Sequence, residues 1–445
     1  MILPLYESVK QRYGAELQYL CYDYVDLAWR HSYCGLFALE RQGVTWYFLD
    51  NEQYFRRPGL YGYPDDGERF GFFSRAVVKM LDHLKFWPDV IHCNDWQTAL
   101  VPIYRQDLAG RWDALRSIRT VFTIHNVEYQ GKFGPETVED LFGLDRGWYE
   151  DGTLQMDGCV NLMKGAMLCA DAVTTVSPTY ARQLHQSAYA EGMESVVQRC
   201  GEKFTGIVNG IDTAVFDPAT DPELTAHFSA QRLRGKADCK KALQKELGLQ
   251  VQSDVPLLSV VSRLVGHKGI DLICESLDVV MQTGCQLVIL GSGDGQYEDF
   301  FRYAENRYKG RLCAYIGYNE ALAHRIYAGS DLFLMPSRSE PCGLSQMIAM
   351  RYGAVPIVRQ TGGLADTVRS CQLGQEDGNG FVFADYSAFD MQYVISQAVN
   401  LYRTDIHRFR QVQKRGMTDD FSWDASAGAY ESLYQHITGQ TRSTK

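Results

Sequence analysis

The 445-residue sequence has no long apolar run and no segment of low complexity. Its longest apolar stretches, such as Pro256–Val261 and Gln286–Leu290, are much shorter than the ~18 residues that a membrane-spanning helix needs. Met1–Tyr6 shows no basic region followed by an apolar core, so no secretory signal is expected. We therefore expect a soluble protein that neither spans a membrane nor is secreted.

The sequence also has little positive charge. Lys and Arg together number 44 against 54 Asp and Glu, which gives a net charge of −10, and no run of Lys or Arg is dense. A chain of this charge has no general attraction for polyanions, so we expect no nucleic-acid partner. A small molecule that carries phosphate would need a local cluster of basic residues.

Paired cysteine motifs are missing too. The 12 cysteines contain no C-x-x-C pair and no Cys/His spacing typical of a zinc site. Several of them, among them Cys93, Cys169 and Cys285, lie inside apolar runs, where a thiol behaves as a small buried hydrophobe. We expect a reducing compartment, the cytoplasm.

What the sequence does contain is a repeated alternation of short apolar runs and amphipathic segments. The runs predict strands, whereas Glu68–Phe86 spaces its apolar residues as a helix does. Strands between helices are typical of parallel sheets covered by helices on both faces, so the predicted fold class is α/β. One series of strands lies before about residue 205 and another from about 257 to 383, which predicts two domains. The predicted strands are Val44–Leu49, Val90–Cys93, Thr120–Ile124, Ala172–Val176, Leu257–Val261, Gln286–Leu290, Leu332–Met335 and Val355–Val358.

Polar residues follow several of these strands, and ligands of open parallel sheets bind beyond the carboxyl ends of the strands. His92–Trp96 overlaps the end of one strand, and His125 with Asn126 follows Thr120–Ile124. Capping of the next helix explains either group alone equally well, but polar groups after two neighbouring strands favour a pocket.

Arg263 and Lys268 follow the strand Leu257–Val261 and stand among glycines. An Arg fork, a Lys charge and the start of a helix can together hold a diphosphate; the alternative is an exposed basic turn. Gly291–Gly295 is not a dinucleotide fingerprint, because Gln296 stands where the third glycine is needed, and it predicts a tight turn.

Glu340 and Pro341 fit the start of a helix, where a carboxylate complements the helix dipole. The following residues 342–345, Cys-Gly-Leu-Ser, would in addition offer small side chains and free N–H groups to a ligand. Gly362 and Gly363 enter another predicted helix and would permit close approach of a ligand to the backbone.

Taken together, these residues resemble the family of bacterial glycogen synthases and plant starch synthases, which are retaining glucosyltransferases of the GT-B fold. The resemblance covers nearly the whole chain, in the order and spacing of the family, and its most specific motifs are E-P-C-G-L and R-x-T-G-G-L-A-D-T-V. The matching stretches are Tyr63–Arg75, His92–Trp96, His125–Gly131, Asn209–Asp212, Ser262–Gly269, Ile316–Tyr318, Pro336–Leu344, Thr361–Val368 and Asp420–Trp423.

The resemblance implies two Rossmann-like, doubly wound domains that face each other across a cleft. Residues 1–205 would form the first domain, residues 206–410 the nucleotide-sugar-binding domain, and residues 411–445 a helical segment that packs back on the first. The implied reaction is retaining transfer of glucose from ADP-glucose to the non-reducing end of an α-1,4-glucan (glycogen), with the leaving phosphate taking the acceptor proton. Two alternatives stay open: a GT-B transferase that uses UDP-glucose, and a catalytically impaired paralogue that binds glucan.

The resemblance also implies roles for single residues. Arg263 and Lys268 would hold the donor diphosphate, Glu340 would contact the donor sugar, and His125 and Asp95 would line the glucose pocket; these are the five implied catalytic residues. Ser345 stands where the family usually has Thr, so the hydroxyl is kept. The other implied donor contacts are Tyr318, which would stack on the adenine, and Asn209, Cys342, Gly343, Leu344, Ser345, Thr361, Gly362 and Gly363.

No metal and no cofactor besides the donor substrate is expected. The chain has no convincing D-x-D site, and Asp23–Asp26 and Asp65 with Asp66 are predicted to be surface turns. The E-x7-E pattern of related transferases is incomplete, because Ile348 stands eight residues after Glu340. No acid and base pair of the glycosidase type is present either.

The start of the chain departs from the family pattern. Met1–Tyr6 matches the end of the family's second strand, and nothing matches its first strand, its Lys-x-Gly-Gly-Leu loop or its first helix. Either Met1 is an internal Met taken for the start, which we favour, or the chain is a shortened form. We expect the chain as written to have little synthase activity and to fold poorly in its first domain, because a missing central strand unpairs its neighbours.

Overall fold

The structure is a computed structural model that describes residues 1–371 and 377–439. Residues 372–376 of the predicted domain 206–410, and residues 440–445 of the predicted helical segment 411–445, lie outside the described residues. The described residues form two compact units. The first contains Met1–Thr175, Leu184–Thr205 and residues 432–439, and the second contains Val176–Gln183 and Gly206–Glu431.

All eight predicted strands are present, and each end lies within one residue of its predicted position. The structure adds nine more, of which the longest are a pair near the start of the chain. The strands are β1 (Ile2–Pro4), β2 (Gln18–Leu27), β3 (Arg30–Arg41), β4 (Val44–Asp50), β5 (Val90–Asn94), β6 (Arg119–Ile124), β7 (Lys132–Phe133), β8 (Gln155–Met156), β9 (Cys159–Asn161), β10 (Ala172–Thr175), β11 (Phe204–Gly206), β12 (Leu257–Val261), β13 (Gln286–Gly291), β14 (Leu312–Ile316), β15 (Leu332–Met335), β16 (Val355–Arg359) and β17 (Phe381–Phe383).

Helices connect most of these strands, as the alternating pattern predicts. The helices are α1 (Glu7–Tyr13), α2 (Glu52–Phe55), α3 (Asp66–Leu84), α4 (Leu100–Leu108), α5 (Thr137–Asp140), α6 (Gly147–Glu150), α7 (Leu162–Cys169), α8 (Pro178–Gln183), α9 (Ser187–Ala190), α10 (Glu194–Cys200), α11 (Arg234–Glu246), α12 (Ile270–Gln282), α13 (Gly295–Arg307), α14 (Glu320–Gly329), α15 (Ser345–Arg351), α16 (Gly362–Thr367), α17 (Ala388–Thr404), α18 (Ile406–Thr418) and α19 (Trp423–Thr438). None of the helices in the described ranges is long and apolar enough to cross a membrane.

The second unit is built on a six-stranded sheet in the order β14-β13-β12-β15-β16-β17, and all of its pairs are parallel. Numbered within this sheet, the strands run 3-2-1-4-5-6, the doubly wound order. Its central strands β13 and β15 are buried along their whole length, because helices cover both faces. The order reverses between β12 and β15, so the crevice at their carboxyl ends is where such a sheet binds ligands.

The first unit has three sheets, and two of them contain antiparallel pairs that the prediction of parallel strands did not include. The sheet β11-β10-β6-β5 pairs β6 in parallel with both β5 and β10. In the sheet β1-β4-β3-β2, however, β3 runs antiparallel to both β2 and β4. The residues of β2 alternate between exposed and covered, as in an antiparallel hairpin with one wet face. A small antiparallel sheet β7-β9-β8 completes the unit.

Of the two predicted surface turns, the structure contains one at Asp65, which precedes α3, but it places Asp23–Asp26 in a strand and Asp66 in a helix. Asp23 and Asp26 lie within β2, and Asp23 accepts hydrogen bonds from His83 and Lys79 of α3. Asp66 is buried at the first position of α3, where it pairs with the fully buried Arg69. Asp23 and Asp66 therefore hold α3, whereas Asp26 pairs with His31 of β3 and Asp65 pairs with Arg57.

Candidate active site

The switch point of the second unit brings Lys268 and Glu340 together, although 72 residues separate them in the sequence. Lys268 ends a short 3-10 turn after β12, and Glu340 lies in the loop after β15. The Lys268 Nζ donates to Glu340 Oε1 at 2.8 Å and to Oε2 at 2.7 Å. Only 19% of the Lys268 side chain and 8% of the Glu340 side chain are exposed, so each charge compensates the other.

Gly269 makes this approach possible. It has φ +74°, and a Cβ there would lie 2.1 Å from the carbonyl oxygen of Pro336, the residue that follows β15. A larger residue would force the turn after β12 away from the loop after β15. The glycine therefore fixes the position of Lys268 relative to Glu340.

Ser337 is a site residue that the sequence interpretation missed. Its Oγ donates to Glu340 Oε2 at 2.9 Å and is buried. The rule that found its neighbours, a polar residue directly beyond a buried strand, applies to Ser337 as well. Glu340 is not the cap of the next helix, since α15 begins five residues later and its N-terminus has no side-chain cap.

Arg263 is exposed at the same edge of the sheet, and its Nη2 lies 3.3 Å from His267 Nε2. The carbonyl oxygen of His267 accepts a hydrogen bond from the backbone N–H of Arg338 at 2.9 Å. The backbone after β15 is thus joined to the turn that carries both predicted diphosphate ligands. His267 is a second neighbour that the sequence interpretation did not assign.

Gly362 and Gly363 lie close to the backbone of the loop that carries Glu340. A Cβ on Gly362 would lie 1.9 Å from the carbonyl oxygen of Glu340, and one on Gly363 would lie 2.0 Å from that of Cys342. The backbone N–H of Gly363 donates to the carbonyl oxygen of Glu340 at 3.1 Å. The close neighbour of these glycines is therefore the backbone of the Glu340 loop. Thr361, the residue before them, is buried and accepts a hydrogen bond from Gln183 Nε2 at 3.2 Å.

The remaining predicted donor contacts surround the start of α15. Cys342 is buried, and burial raises the pKa of its thiol to about 12 although the backbone N–H of Asn209 hydrogen-bonds to it. Gly343 has φ +70° and turns the chain into Leu344, which is 44% exposed. At Leu344 and Ser345 the helix begins, where N–H groups have no intrahelical partner.

Gln346, which the sequence interpretation did not assign, holds this turn. Its buried Nε2 donates to the carbonyl oxygen of Gly343 at 2.7 Å. Tyr318, the residue predicted to stack on the adenine, lies in the loop after β14 and is 86% exposed. Its ring is therefore accessible to a ligand.

In the first unit, Asp95 and His125 lie side by side at the ends of β5 and β6. Asp95 Oδ1 accepts a hydrogen bond from the His125 backbone N–H at 2.8 Å, and His125 Nε2 lies 2.9 Å from Asn94 Oδ1. Burial raises the pKa of Asp95, against the opposing effect of the His125 ring. Asp95 has φ 56° and ψ 179°, a conformation that costs a residue other than glycine of the order of 1–3 kcal/mol.

A hydrogen-bonded chain behind this pair was not predicted. His92 Nε2 lies 2.6 Å from Thr123 Oγ1, and its Nδ1 lies 2.6 Å from the hydroxyl of Tyr434. Burial lowers the pKa of His92 to about 4, with a further effect of His125. His92 is part of a predicted polar stretch, but its partner Tyr434 is 342 residues away, and no local pattern connects them.

The site residues thus form two clusters, one in each unit. The first unit brings Asp95 and His125 together, and the second brings together Lys268, Glu340 and the loops that carry Arg263 and residues 342–345. Two cations beside a carboxylate at a doubly wound switch point suit a substrate with a diphosphate and a hydroxyl-bearing sugar. Within residues 1–371 and 377–439, no three His, Cys, Asp or Glu side chains are placed to hold a metal ion.

Comparison with protein families gives two matches that lie side by side along the chain. Residues 1–199 match the starch synthase catalytic domain, and residues 245–413 match the glycosyl transferases of group 1. The chain is 43% identical to the glycogen synthase of Lactobacillus acidophilus over 439 residues, which cover 99% of the chain and 92% of the relative. It is 45% identical to the glycogen synthase of Streptococcus uberis over 437 residues, covering 98% and 91%.

A solved structure agrees with these matches. The catalytic domain of starch synthase IV from Arabidopsis thaliana, bound to ADP and acarbose, superimposes with a TM-score of 0.90 at 37% identity, covering 98% of this chain and 92% of that one. The resemblance noted in the sequence and the GT-B fold that it implied are confirmed. The chain belongs to the family of glycogen synthases and starch synthases, which are hexosyltransferases of the GT-B fold.

Proposed function

We propose that this chain transfers glucose from ADP-glucose to the non-reducing end of an α-1,4-glucan with retention of configuration at C1. Glycogen synthases at 43% and 45% identity support the reaction, and a starch synthase structure bound to ADP and acarbose supports both substrates. The observation that carries the proposal is the Lys268–Glu340 pair at the switch point of the second sheet.

The pair suits a site that exchanges one anion for another. When a diphosphate enters, the Lys268 ammonium turns to its oxygens, and Glu340 becomes free to accept hydrogen bonds from hydroxyls of the glucose. Arg263 approaches the same diphosphate from the exposed edge, and the free N–H groups of Leu344 and Ser345 add donors. We place the adenine on Tyr318 and assign further contacts to Asn209, Cys342, Gly343 and residues 361–363.

Transfer breaks the bond between C1 of glucose and the phosphate oxygen and forms a bond from C1 to the acceptor hydroxyl oxygen on the same face. The acceptor proton passes to the departing phosphate oxygen, so no protein base is needed. Negative charge grows on the diphosphate as the bond breaks, and Arg263 and Lys268 stabilise it more strongly in the transition state than in the ground state. Asp95 and His125 contact the glucose in this proposal.

We propose further that the reaction needs no metal ion or other cofactor and takes place in the cytoplasm. Arg263 and Lys268 provide the positive charge that a metal would otherwise bring to a diphosphate. A chelator such as EDTA should therefore leave the transfer rate within about twofold of its untreated value. A rate that collapses with EDTA and returns with added Mg²⁺ would show that these two side chains do not suffice.

The test is a comparison of donors with the purified full chain and glycogen as the acceptor. Glucose labelled with ¹⁴C is supplied as ADP-glucose or UDP-glucose, and the product is digested with an exo-acting amylase that releases maltose from non-reducing ends. We expect label to enter from ADP-glucose at least tenfold faster and to leave as maltose. The ratio between donors is the criterion, since it does not depend on the absolute rate.

Two outcomes would overturn the proposal. Faster transfer from UDP-glucose would reassign the donor, and glucan binding without transfer from either donor would make the chain a binding protein. Lys268→Ala is the matched control, because loss of the ammonium should reduce incorporation at least tenfold. Unchanged kinetics in that variant would refute the assignment of the diphosphate site.

A further inference from the structure

A groove of about 1150 Å³ opens in the second unit on residues that the proposed donor site does not use. Its walls are α11, the segment 251–254, the end of α17 and one face of α18. No residue of the Lys268–Glu340 cluster lines it. The proposed reaction therefore leaves this groove without a role.

The groove is positively charged in a chain whose net charge is −10. Seven Lys and Arg residues line it against three Asp residues. One of the three, Asp331, is already neutralised, because Lys240 Nζ lies 2.7 Å from its Oδ2. The groove is thus locally positive although the chain as a whole is negative. Its three Asp residues are too few to cancel its positive charge.

Two of the lysines are buried and fully occupied. Lys240 Nζ also donates to the carbonyl oxygen of Val255 at 2.6 Å. Lys236 Nζ donates to the carbonyl oxygens of Ala328 at 2.9 Å and Tyr352 at 2.8 Å. These two lysines therefore offer no hydrogen bonds to a ligand, and the charge available to a ligand comes from the exposed cations of the groove.

Four of the cations that line the groove are exposed. Arg234 and Lys241 lie on α11, and Arg410 and Lys414 lie four residues apart on one face of α18. The described part of the chain offers these four side chains no hydrogen bond or ion pair. Like charges at this spacing destabilise a helix, and a bound anion would remove that cost.

Two other arginines of the same unit, the exposed Arg302 and the partly buried Arg325, are compensated by carboxylates. Arg302 pairs with Glu298 and Asp299. Arg325 pairs with Glu223 and Glu246. The four cations of the groove differ from these arginines, because they line one shared cavity and have no carboxylate partner among the described residues. A cluster of this kind is typical of a site whose counter-charge comes from a ligand.

We propose that this groove binds a small molecule that carries two or more phosphate groups. Arginine forks and lysine charges on two of the helices that line the groove can bind phosphate oxygens at two positions, which a single monovalent anion cannot fill. The volume is ample for a ligand of the size of a nucleotide or a sugar bisphosphate. The shared chemistry of both ligand types is the pair of phosphates.

The test measures binding of inorganic tripolyphosphate to the full chain by titration calorimetry. All chains carry Lys268→Ala, so that the proposed donor site contributes little to the heat. We expect the double variant Arg410→Ala/Lys414→Ala to bind tripolyphosphate at least tenfold more weakly than the parent. Titrations with a nucleoside triphosphate and a sugar bisphosphate then show which of the two ligand types binds more tightly.

The matched control is Arg302→Ala/Arg307→Ala on α13, which removes the same charge from cations that are ion-paired outside the groove. Its affinity should stay within twofold of the parent. Equal affinity in the groove variant and the parent would overturn the proposal, and so would equal losses in groove and control variants. Arg234→Ala/Lys241→Ala on the opposite wall repeats the test should the first variant not fold.

Discussion

The ion pair of Lys268 and Glu340 contributes both to stability and to activity. Single and double substitutions can distinguish these two contributions. Glu340→Gln keeps the shape of the side chain but leaves the Lys268 charge in a largely covered position. Removing one partner of such a pair costs about 3 kcal/mol, whereas removing both is often nearly neutral. We expect the Lys268→Met/Glu340→Gln double variant to recover most of the stability that Glu340→Gln loses.

Activity should not recover with stability. Each single variant and the double variant should lose at least about 100-fold in kcat/KM, because each lacks a group that acts on the departing diphosphate or the sugar. Urea unfolding and the donor assay on the same four proteins provide the comparison. A double variant that regains both stability and activity would show that the pair is structural only.

Asp95 is a second residue for which the effect on stability can be distinguished from the effect on activity. Its φ of 56° suits glycine, so Asp95→Gly relieves backbone strain while it removes the hydrogen bond to the His125 N–H. Both effects are of the order of 1 kcal/mol, and we expect the stability of Asp95→Gly to stay within about 1 kcal/mol of the parent.

The activity of Asp95→Gly should nevertheless fall at least tenfold, because the carboxylate is gone. Asp157→Gly is the matched control, since Asp157 also has a positive φ, of 50°, and lies exposed in a turn between β8 and β9. It should gain or keep stability and keep full activity in the same assay. Full activity in Asp95→Gly would remove Asp95 from the site.

At the scale of elements, Lys236 joins the ends of two helices. Its ammonium donates to Ala328 at the end of α14 and to Tyr352 just after α15. Burial lowers the pKa of Lys236 to about 7 from its ordinary value of 10.5. Between these two values the unfolded chain binds this proton more fully than the folded chain, so the folded state gains stability as the pH rises.

We therefore expect the melting temperature of the parent to rise relative to that of Lys236→Met between pH 6.5 and pH 9. Lys240→Met is the control on the same helix. Burial alone would lower the pKa of Lys240. The nearby carboxylate of Asp331 has the larger effect and raises this pKa above its ordinary value of 10.5. Its contribution is constant over this range, so the difference between Lys240→Met and the parent should not change with pH.

If the difference in melting temperature between the parent and Lys236→Met does not change with pH, the buried ammonium keeps its proton over the whole range. Differential scanning fluorimetry at half-unit steps of pH is sufficient to tell the two slopes apart. Buried thiols titrate only above this range, and both variants carry all of them, so they do not disturb the comparison.

The elements that local sequence pattern determines were predicted well. Four of the six strands of the second sheet, β12, β13, β15 and β16, are continuous apolar runs, and their predicted ends agree with the structure to within one residue, whereas β14 and β17 were not predicted. The hairpin of β2 and β3 was missed, because Asp23 and Asp26 interrupt the apolar run of β2 and were interpreted as a surface turn. A search for alternation would have found it, since alternating residues mark a strand with one wet face.

The sequence predicts which residues belong to the candidate site, but it does not predict the contacts between them. Arg263, Lys268 and Glu340 follow buried strands, and the strand-end rule finds each of them. That Lys268 binds Glu340 depends on β12 and β15 being neighbours, which is a property of the strand order. The same holds for Gly362 and Gly363, whose close neighbour is the backbone of the Glu340 loop.

At the scale of the whole molecule, the local charge at two sites is opposite in sign to the net charge. The chain carries a net charge of −10, and yet two places in the second unit concentrate cations, the turn with Arg263 and Lys268 and the groove beside α18. At physiological ionic strength, charges more than about 8 Å apart are largely screened. An anionic donor therefore responds to the local cations more than to the net charge.

The cysteines give the last test at this scale. All 12 are free, eight of them are buried, and Cys21, Cys159, Cys169 and Cys274 are partly covered. Burial raises the pKa of buried thiols such as Cys93 and Cys313 to about 12, so few thiolates exist at pH 7.5. We expect iodoacetamide to label at most four cysteines in the native chain.

After unfolding in guanidinium chloride, the same reagent should label all 12 cysteines, with or without a reductant, as counted by mass spectrometry. Equal counts with and without reductant are expected because the folded chain holds its thiols reduced and apart. A lower count without reductant would reveal a disulfide and contradict a reducing compartment. Native labelling of the buried thiols would instead mean that the hydrophobic core around them opens readily, since these side chains are reached only through local unfolding.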